Sequence, residues 1–207
     1  MALKDTETFV LGSGELYIAE FDYDVDQMPQ IPEDSAIEKS GNKIGHIKGG
    51  ASLEYTPTLY QVKDDFDYVL DTFITEEEVK FTTGVLTWNM AVLEKIVAAS
   101  TVSEDASKTT KTIKIGGRGK QGVKARLVRF VHTMRKTGKK LRVTIVGTPS
   151  EGFTLSFQPK EEQTLDAVFL AMPHDNEGTL VRIDKEVESA EWRAKVGTAK
   201  VGEDKVG

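Results

Sequence analysis

The glycine-rich segment at residues 117–122, Gly-Arg-Gly-Lys-Gln-Gly, is the first place where residue spacing in this sequence matches a chemical motif. The pattern G-x-G-x-x-G binds the pyrophosphate of a dinucleotide when the N-terminus of a helix follows it. Residues 123–130 are instead strand-like, and no acidic residue follows about twenty positions on to hold a ribose. We therefore predict no cofactor here and interpret the segment as the flexible link of a hairpin.

Cysteine is absent from the chain, and the three histidines stand far apart at His46, His132 and His174. The lack of cysteine excludes a thiol nucleophile, a disulfide framework and every cysteine-ligated metal site. The histidines lack the H-x-H or H-x-x-x-H spacing of a metal site, and nothing gathers them into a catalytic triad. We therefore predict that the chain is not an enzyme and has no catalytic, cofactor-binding or metal-binding residues.

Acidic residues concentrate between positions 60 and 79, where seven carboxylates accompany the single lysine Lys63. Paired carboxylates can transfer protons or bind calcium, but the calcium-loop spacing D-x-[DN]-x-[DN]-G does not occur. The residue types alone therefore favour a solvated negative surface. Together with Glu54, the acidic cluster comprises Asp64, Asp65, Asp67, Asp71, Glu76, Glu77 and Glu78.

Basic residues concentrate elsewhere: positions 106–150 hold thirteen of them and no acid, although the chain has a net charge of −6. Such asymmetry indicates contact with nucleic acid, contact with another subunit, or neutralisation within the folded monomer. Only Phe130 and His132 interleave with the cations, too few for a single-strand binder, and no nucleic-acid-binding motif is present. Seven members are candidates for subunit contacts: Arg126, Arg129, Arg135, Lys136, Lys139, Lys140 and Arg142.

The elements that must position these residues are mostly strands, because the dominant hydrophobic period is two. One segment, at about residues 88–99, has the apolar spacing of a helix, with Thr87 or Asn89 as its cap. We predict a mainly β fold, an antiparallel sandwich or barrel flanked by that helix. The predicted strands lie near residues 15–21, 44–60, 68–74, 79–83, 111–115, 123–134, 141–145, 153–158, 165–171 and 179–183.

The 207 residues fit one large domain with arms. We assign residues 1–190 to a single β domain with a long, acidic, Pro-containing loop at about 22–42. Residues 191–207 are predicted to be a flexible C-terminal arm, because Lys-Val-Gly recurs there with a period of five. We expect the loop and the arms to order only on contact with another subunit. No apolar run approaches the ~20 residues of a membrane span, so we expect a soluble protein made in the cytosol.

The order and spacing of several segments resemble the major tail proteins of long, non-contractile-tailed bacteriophages. In that family an opening strand and an acidic loop precede a central strand and helix, and further core strands follow. The resemblance covers residues 9–184. The matching segments are residues 14–19 (GELYIA), 44–56 (IGHIKGGASLEYT), 78–82 (EVKFT), the helix that begins with Trp88-Asn89, 157–160 (FQPK), 165–171 (LDAVFLA) and 175–180 (DNEGTL).

This resemblance implies a tail-tube subunit. Such subunits form hexameric rings, and the rings stack into a tube whose lumen carries DNA and the tape-measure protein. The implied partners are other copies of the chain, the tape-measure protein, and the tail-terminator or tip proteins, with DNA passing without specific binding and no membrane involved. The implied location is the virion tail, assembled in the host cytoplasm.

Two sets of site residues follow from this interpretation. The family forms lumen hairpins from the part of the chain around residues 60–79, so we expect the eight acids above to line a lumen that repels DNA. We expect the seven cations to face acids of a neighbouring subunit, because like charges on paired strands are costly. Three alternatives stay open: a contractile-type inner tube, a capsid decoration protein, and a small β-rich nucleic-acid-binding module.

Overall fold

The structure is a computed structural model, and it describes residues 14–24, 26, 30–86, 89–104, 110–117, 123–135, 137–155 and 162–187. Strands hold more than half of these residues, so the prediction of a mainly β fold is confirmed. The strands are β1 (Glu15–Glu20), β2 (Lys43–Ile44), β3 (Ile47–Lys63), β4 (Val69–Val85), β5 (Ser100–Glu104), β6 (Lys111–Ile115), β7 (Arg126–Thr133), β8 (Lys140–Pro149), β9 (Leu165–Met172) and β10 (Val181–Lys185). The helices are α1 (Asp34–Ile37) and α2 (Met90–Ile96), and a 3₁₀ turn spans Ser40–Asn42.

All strand pairings among the described residues are antiparallel, as predicted. The main sheet has the order β2-β1-β7-β8-β9-β4-β3, and β5 and β6 form a separate two-stranded sheet. Strand β8 changes partners along one edge, where residues 141–145 pair with β10 and residues 146–149 pair with β9. The sheet therefore divides at β8: one branch is β10, and the other consists of β9, β4 and β3.

Strands β1 and β7 are buried on both faces, because a helix covers each side. Leu16 of β1 belongs to the same core cluster as Leu93 of α2. Tyr17 and Leu127 point to the other side and belong to a second cluster with Ile37 of α1. This double burial explains why β7 does not show the polar–apolar alternation of a half-exposed strand.

Helix α2 confirms the helix predicted at residues 88–99, although the observed helix is shorter. Asn89 caps it, because its side-chain oxygen accepts a hydrogen bond from the Val92 N–H at 3.0 Å. The other predicted cap, Thr87, lies outside the described residues. The helix ends where Val97 turns extended, with ψ at 131°.

The two strands predicted at residues 68–74 and 79–83 are one strand, β4, so that prediction was wrong. The three consecutive acids at 76–78 lie between the two predicted strands, and β4 pairs with β3 straight through them. A bulge absorbs the irregularity, because Glu76 pairs with Thr58 and Ile74 pairs with Leu59, which leaves Thr75 without a partner in the register.

The hairpin predicted between residues 111–115 and 123–134 was also wrong. Strand β6 pairs with β5, an element that the sequence analysis missed, and β7 pairs with β1 and β8. The strand predicted at 153–158 is not formed at residues 153–155, and its remainder lies outside the described residues. The turn at residues 175–178 and the strand after it are confirmed, with Gly178 at a φ of 80°.

The long loop predicted at residues 22–42 contains α1 and the 3₁₀ turn. Ile37 is only 1% exposed, so residues 30–42 fold onto the sheet within a single chain. The expectation that this whole loop orders only on contact with another subunit was therefore wrong for residues 30–42. The C-terminal arm predicted at residues 191–207 lies outside the described residues.

Candidate functional site: a projecting hairpin

Strands β3 and β4 form the most prominent feature of the molecule, a hairpin of two seventeen-residue strands. Among the described residues, only the base of β4 has a second neighbouring strand, because β9 pairs with it from Lys80 to Val85. The eleven β4 residues at 69–79 therefore extend beyond β9 by about 35 Å at ~3.3 Å per residue. Every residue from 52 to 61 and from 65 to 78 is exposed, so the outer part is a two-stranded ribbon with both faces uncovered.

The cross-strand register assigns each side chain of this ribbon to one of two faces. Leu53, Tyr55 and Leu59 alternate along β3 on one face, and Ile74 of β4 pairs with Leu59. We call these four exposed residues the apolar face. The opposite face carries four carboxylates, and a cross-strand pair of exposed aromatic residues, Tyr60 and Phe73, lies among them. We call it the acidic face, and its acids are Glu54, Asp71, Glu76 and Glu78.

The eight acids predicted to line a lumen are thus all brought together on one hairpin, but not on one face. Glu77 lies on the side of the apolar face, where its carboxylate accepts a hydrogen bond from the Tyr55 hydroxyl at 2.6 Å. That hydrogen bond raises the pKa of Tyr55. The other three acids, Asp64, Asp65 and Asp67, lie in the turn at the tip. Whether these carboxylates face a channel stays a prediction.

The turn at the tip is held by the side chain of Asp64. One of its carboxylate oxygens accepts hydrogen bonds from the N–H groups of Phe66 and Tyr68, each at 2.9 Å. The Asp64 backbone also bonds to Tyr68 and to Asp67, which adopts a left-handed φ of 64°. The rings of Phe66 and Tyr68 are 81% and 70% exposed. The tip is therefore an ordered turn that presents two aromatic rings to the solvent.

At the base of the hairpin, the two strands approach each other closely at Gly84 of β4. A Cβ built on Gly84 would lie 2.5 Å from the Lys48 carbonyl oxygen of β3, so no larger residue fits without a shift of the backbone. The register shifts between Lys48 and Ala51, where Gly49 and Gly50 both have positive φ. Strand β3 nevertheless continues through the glycine pair, so the two glycines form a bulge and do not end the strand.

The basic segment contains strands β7 and β8, which lie between β1 and β9 in the sheet. Arg129 of β7 is the most buried of its described cations, at 1% exposure. Its Nη1 donates a hydrogen bond to Asp34 Oδ1 at 2.5 Å and lies 3.7 Å from Glu38 Oε1. Its Nε donates to the Thr144 hydroxyl at 2.9 Å. Helix α1 therefore places two carboxylates of the same chain against a buried guanidinium.

Two cations of β8 complete this cluster. Arg142 donates from Nε to Glu38 Oε1 at 2.5 Å and from Nη1 to Glu186 Oε1 at 2.6 Å. Lys140 donates from Nζ to Glu38 Oε2 at 2.8 Å. We call Asp34, Glu38, Glu186, Arg129, Lys140 and Arg142 the clasp, because they fasten α1 to strands β7 and β8.

The carboxyl groups of the clasp are held in their ionised form. Burial raises the pKa of Glu38, but hydrogen bonds from Arg142 and Lys140 outweigh burial, and the net pKa is lowered. Burial likewise raises the pKa of Asp34, and the hydrogen bond from Arg129 reverses the effect. The Lys140 N–H is the main cause of the lowered pKa of Glu186, which also accepts from Arg142. The clasp is therefore a charged network at neutral pH.

The prediction that the seven cations face a neighbouring subunit is corrected for four of them. Arg129, Lys140 and Arg142 have their partners in the clasp, and Arg126 lies 3.1 Å from Glu20 of the adjacent strand β1. The physical reason is that the folded loop, the end of β1 and the residue after β10 each bring an acid onto the basic strands. Of the other three, Arg135 is exposed, Lys139 is partly exposed, and Lys136 lies outside the described residues.

Two elements of these sites, the projecting ribbon and helix α1, were not predicted from the sequence. The ribbon was missed because residues 68–74 and 79–83 were interpreted as two strands, with the acidic residues between them outside both. Helix α1 was missed because a helix of four residues is too short to show a hydrophobic periodicity. The signal that the sequence did contain was the spacing of four between Asp34 and Glu38, with the buried Ile37 between them.

Among the residues that the structure describes, no group of three or more potential metal ligands occurs. Within the same ranges, no helix is long and apolar enough to cross a membrane. In comparisons with known proteins, no family model matches the chain, and no curated protein is significantly similar to it.

Proposed function

We propose that the protein is a structural subunit of a phage tail tube. Copies assemble into hexameric rings, the rings stack into a tube in the virion tail, and DNA passes along the lumen to the host. The resemblance of residues 9–184 to major tail proteins supports this proposal. The observation that carries it is the ribbon of β3 and β4, which extends about 35 Å beyond its last neighbouring strand with both faces exposed.

The ribbon is costly for a protein that stays monomeric. An isolated two-stranded ribbon is at best marginally stable in water, and a third strand or a packed face is normally required. Within the described ranges β3 is the last strand of the sheet, and the backbone groups along its outer edge can pair with another strand. A row of exposed apolar residues along a long, unprotected edge is typical of a surface that another chain covers.

The two faces of the ribbon suit the inside of a ring. Packing of the apolar face against a neighbouring copy removes Leu53, Tyr55, Leu59 and Ile74 from water. The acidic face is then left on the other side, towards the lumen, where its carboxylates repel the phosphates of passing DNA. In this arrangement Glu54, Asp71, Glu76 and Glu78 line the channel, and Glu77 does not.

The ion pairs within the chain argue against the alternative of a nucleic-acid-binding module. Phosphate binding requires cations that are free to replace counterions. Arg126, Arg129, Lys140 and Arg142 instead hold carboxylates of their own chain. A capsid decoration protein differs from our proposal in what it assembles into, so the form of the assembly distinguishes it, whereas a contractile-type inner tube would also form a tube.

Negative-stain electron microscopy of the purified chain tests the proposal. We expect rings with a central hole, or tubes made of them. The matched variant replaces residues 56–78 with Asn-Gly, which joins the paired residues Tyr55 and Val79 by a two-residue turn and keeps the rest of the sheet. We expect this variant to be folded by circular dichroism but unable to assemble.

Two results would contradict the proposal. Monomers or trimers of the unmodified chain at every concentration and salt tested would favour a different virion component. Tubes formed as readily by the shortened variant would show that the ribbon is not the assembly element.

A further inference from the structure

The turn between β9 and β10 contains a buried histidine with an unused ring nitrogen. The His174 side chain is only 4% exposed, and its Nδ1 is buried without a hydrogen-bond partner among the described residues. Its Nε2 lies 4.0 Å from Asp175 Oδ2, which is too far for a hydrogen bond. Buried polar atoms of folded proteins are nearly always paired, so the unpaired nitrogen points to a conformational or functional role.

His174 lines a surface cavity of about 350 Å³. The lining comes from two parts of the chain: Gln30 and Ile31, which precede α1, and residues 174–176 together with Arg182 of β10. The imidazole therefore lies where the segment that leads into α1 meets the turn between β9 and β10.

The two sides of this cavity are held with unequal strength. On the side of the turn, Asp175 Oδ1 accepts hydrogen bonds from the N–H groups of Glu177 at 3.0 Å and Thr179 at 2.9 Å. The His174 N–H also bonds to the Thr179 carbonyl oxygen at 3.0 Å. By contrast, no hydrogen bond joins residues 30–31 to another described residue. A movement that opens the cavity is therefore expected in residues 30–31 and not in the turn.

Two charged groups act on the His174 imidazole: Asp175 from the same turn and Arg182 from β10. Burial lowers the pKa of His174 from its ordinary value of 6.5; Asp175 opposes this effect, and Arg182 adds to it. Residues 30–31 contribute no charge. In the protonated imidazole both ring nitrogens are donors, so a proton on His174 creates a buried cation with an unpaired N–H. The neutral imidazole therefore stabilises the closed arrangement above pH 6.5, and this stabilisation is lost as the pH falls through the folded-state pKa.

We propose that residues 30–31 form a lid over His174, which is closed at neutral pH and opens when the imidazole binds a proton at mildly acidic pH. Opening admits water, so both N–H groups of the imidazolium gain partners. The contact that opening gives up is the packing of Ile31 against the second core cluster. The carboxyl groups of the clasp have lowered pKa values and stay ionised at this pH, so α1 remains fastened while the lid moves. The inference concerns a single copy of the chain and does not rest on the proposed tube function.

Thiol labelling measures the lid directly, because the natural chain contains no cysteine. The probe is Ile31→Cys, at a half-buried position in the lid, and the reference is Glu33→Cys, at an exposed position of the same segment. The ratio of the two labelling rates removes the pH dependence of thiol reactivity that both positions share. An opening that takes up one proton shifts its equilibrium by up to about tenfold per pH unit. We expect the ratio to rise by up to that factor per unit as the pH falls below 6.5.

Three background variants assign the effect to His174. His174→Gln cannot gain a charge, so we expect a ratio that stays constant with pH in a variant that circular dichroism shows to be folded. His46→Gln removes an exposed histidine and is the matched control, which should keep the full pH dependence. Arg182→Gln removes the cation that opposes protonation, so the rise should begin at a higher pH.

A ratio that stays constant between pH 7.5 and pH 5.5 in the unmodified background would overturn the lid, and so would an unchanged pH dependence in His174→Gln. Loss of the dependence in His46→Gln would assign it to the wrong histidine, and an unchanged onset in Arg182→Gln would contradict the charge argument. These outcomes leave the tube function untouched. Conversely, failure of the unmodified chain to form rings or tubes leaves the lid in place.

Discussion

Glu38 and Arg142 lie 104 residues apart in the sequence, yet Arg142 Nε donates a hydrogen bond to Glu38 Oε1 at 2.5 Å. The two side chains are only 10% and 9% exposed. This pair joins the acidic loop to the basic segment, so much of the charge separated along the sequence is neutralised within one chain. We therefore propose the hairpin, and not the buried arginines, as the surface through which copies assemble.

The clasp predicts a large loss of stability when one of its carboxylates is removed. Glu38→Ala leaves Arg142 and Arg129 buried with incomplete partners, and breaking a buried ion pair in this way costs about 3 kcal/mol or more. Urea denaturation measures the change in the free energy of unfolding. Glu33→Ala is the matched control, because Glu33 precedes α1, is exposed and makes no capping hydrogen bond. Equal losses from the two variants would argue against the clasp.

The clasp also predicts acid sensitivity. The pKa values of Asp34, Glu38 and Glu186 are lowered in the folded chain from ordinary values of 3.8, 4.5 and 4.5. A carboxyl group with a lowered folded-state pKa stabilises the fold above its ordinary pKa, and that stability is lost as the pH falls through the folded-state pKa. We expect the free energy of unfolding to fall below about pH 4.5, and to fall less steeply in Glu38→Gln. The same decrease in the free energy of unfolding at acidic pH for the variant and the unmodified chain would contradict this prediction.

Assembly through the apolar face predicts tubes that persist in high salt. The sequence predicts that the cations of the basic segment contact a neighbouring subunit. The Debye length falls to about 3 Å at 1 M salt, so charge screening would weaken such an interface. Because four of those cations are used within the chain, the contact is expected to be mainly apolar. Light scattering of assembled tubes, from low salt to 1 M sodium chloride, should change little. Dissociation of the tubes at high salt would indicate that the subunit contact depends on surface charges.

The two faces of the ribbon predict different effects of charge reversal. Glu76→Lys with Glu78→Lys replaces two carboxylates of the acidic face with two ammonium groups, and we expect tubes of this variant to retain duplex DNA in a salt-dependent manner. Glu77→Lys, on the side of the apolar face, is the neighbouring control and should not confer DNA retention. Co-sedimentation of DNA with tubes measures both. Equal retention by the control would mean that the acidic face does not line the lumen.

Local patterns were enough to determine the class of fold and several of its elements. Alternation in segments such as Leu165, Ala167 and Phe169 depends only on the two-residue period of a strand, and the cap at Asn89 depends only on neighbouring residues. The gathering of the eight acids on one element was also within reach, because they are close together in the sequence.

Only the tertiary structure decided which strands pair, which face each acid occupies and which acids meet the arginines. The face of Glu76 depends on a bulge opposite Thr58 and Leu59, and a shift of one residue moves a side chain to the other face. The pairing of Arg142 with Glu38 depends on α1 folding back over β8, since Ile37 gains its burial only there. Such contacts join distant residues, and their free energy appears only when the whole sheet is formed, so no local pattern in the sequence encodes them.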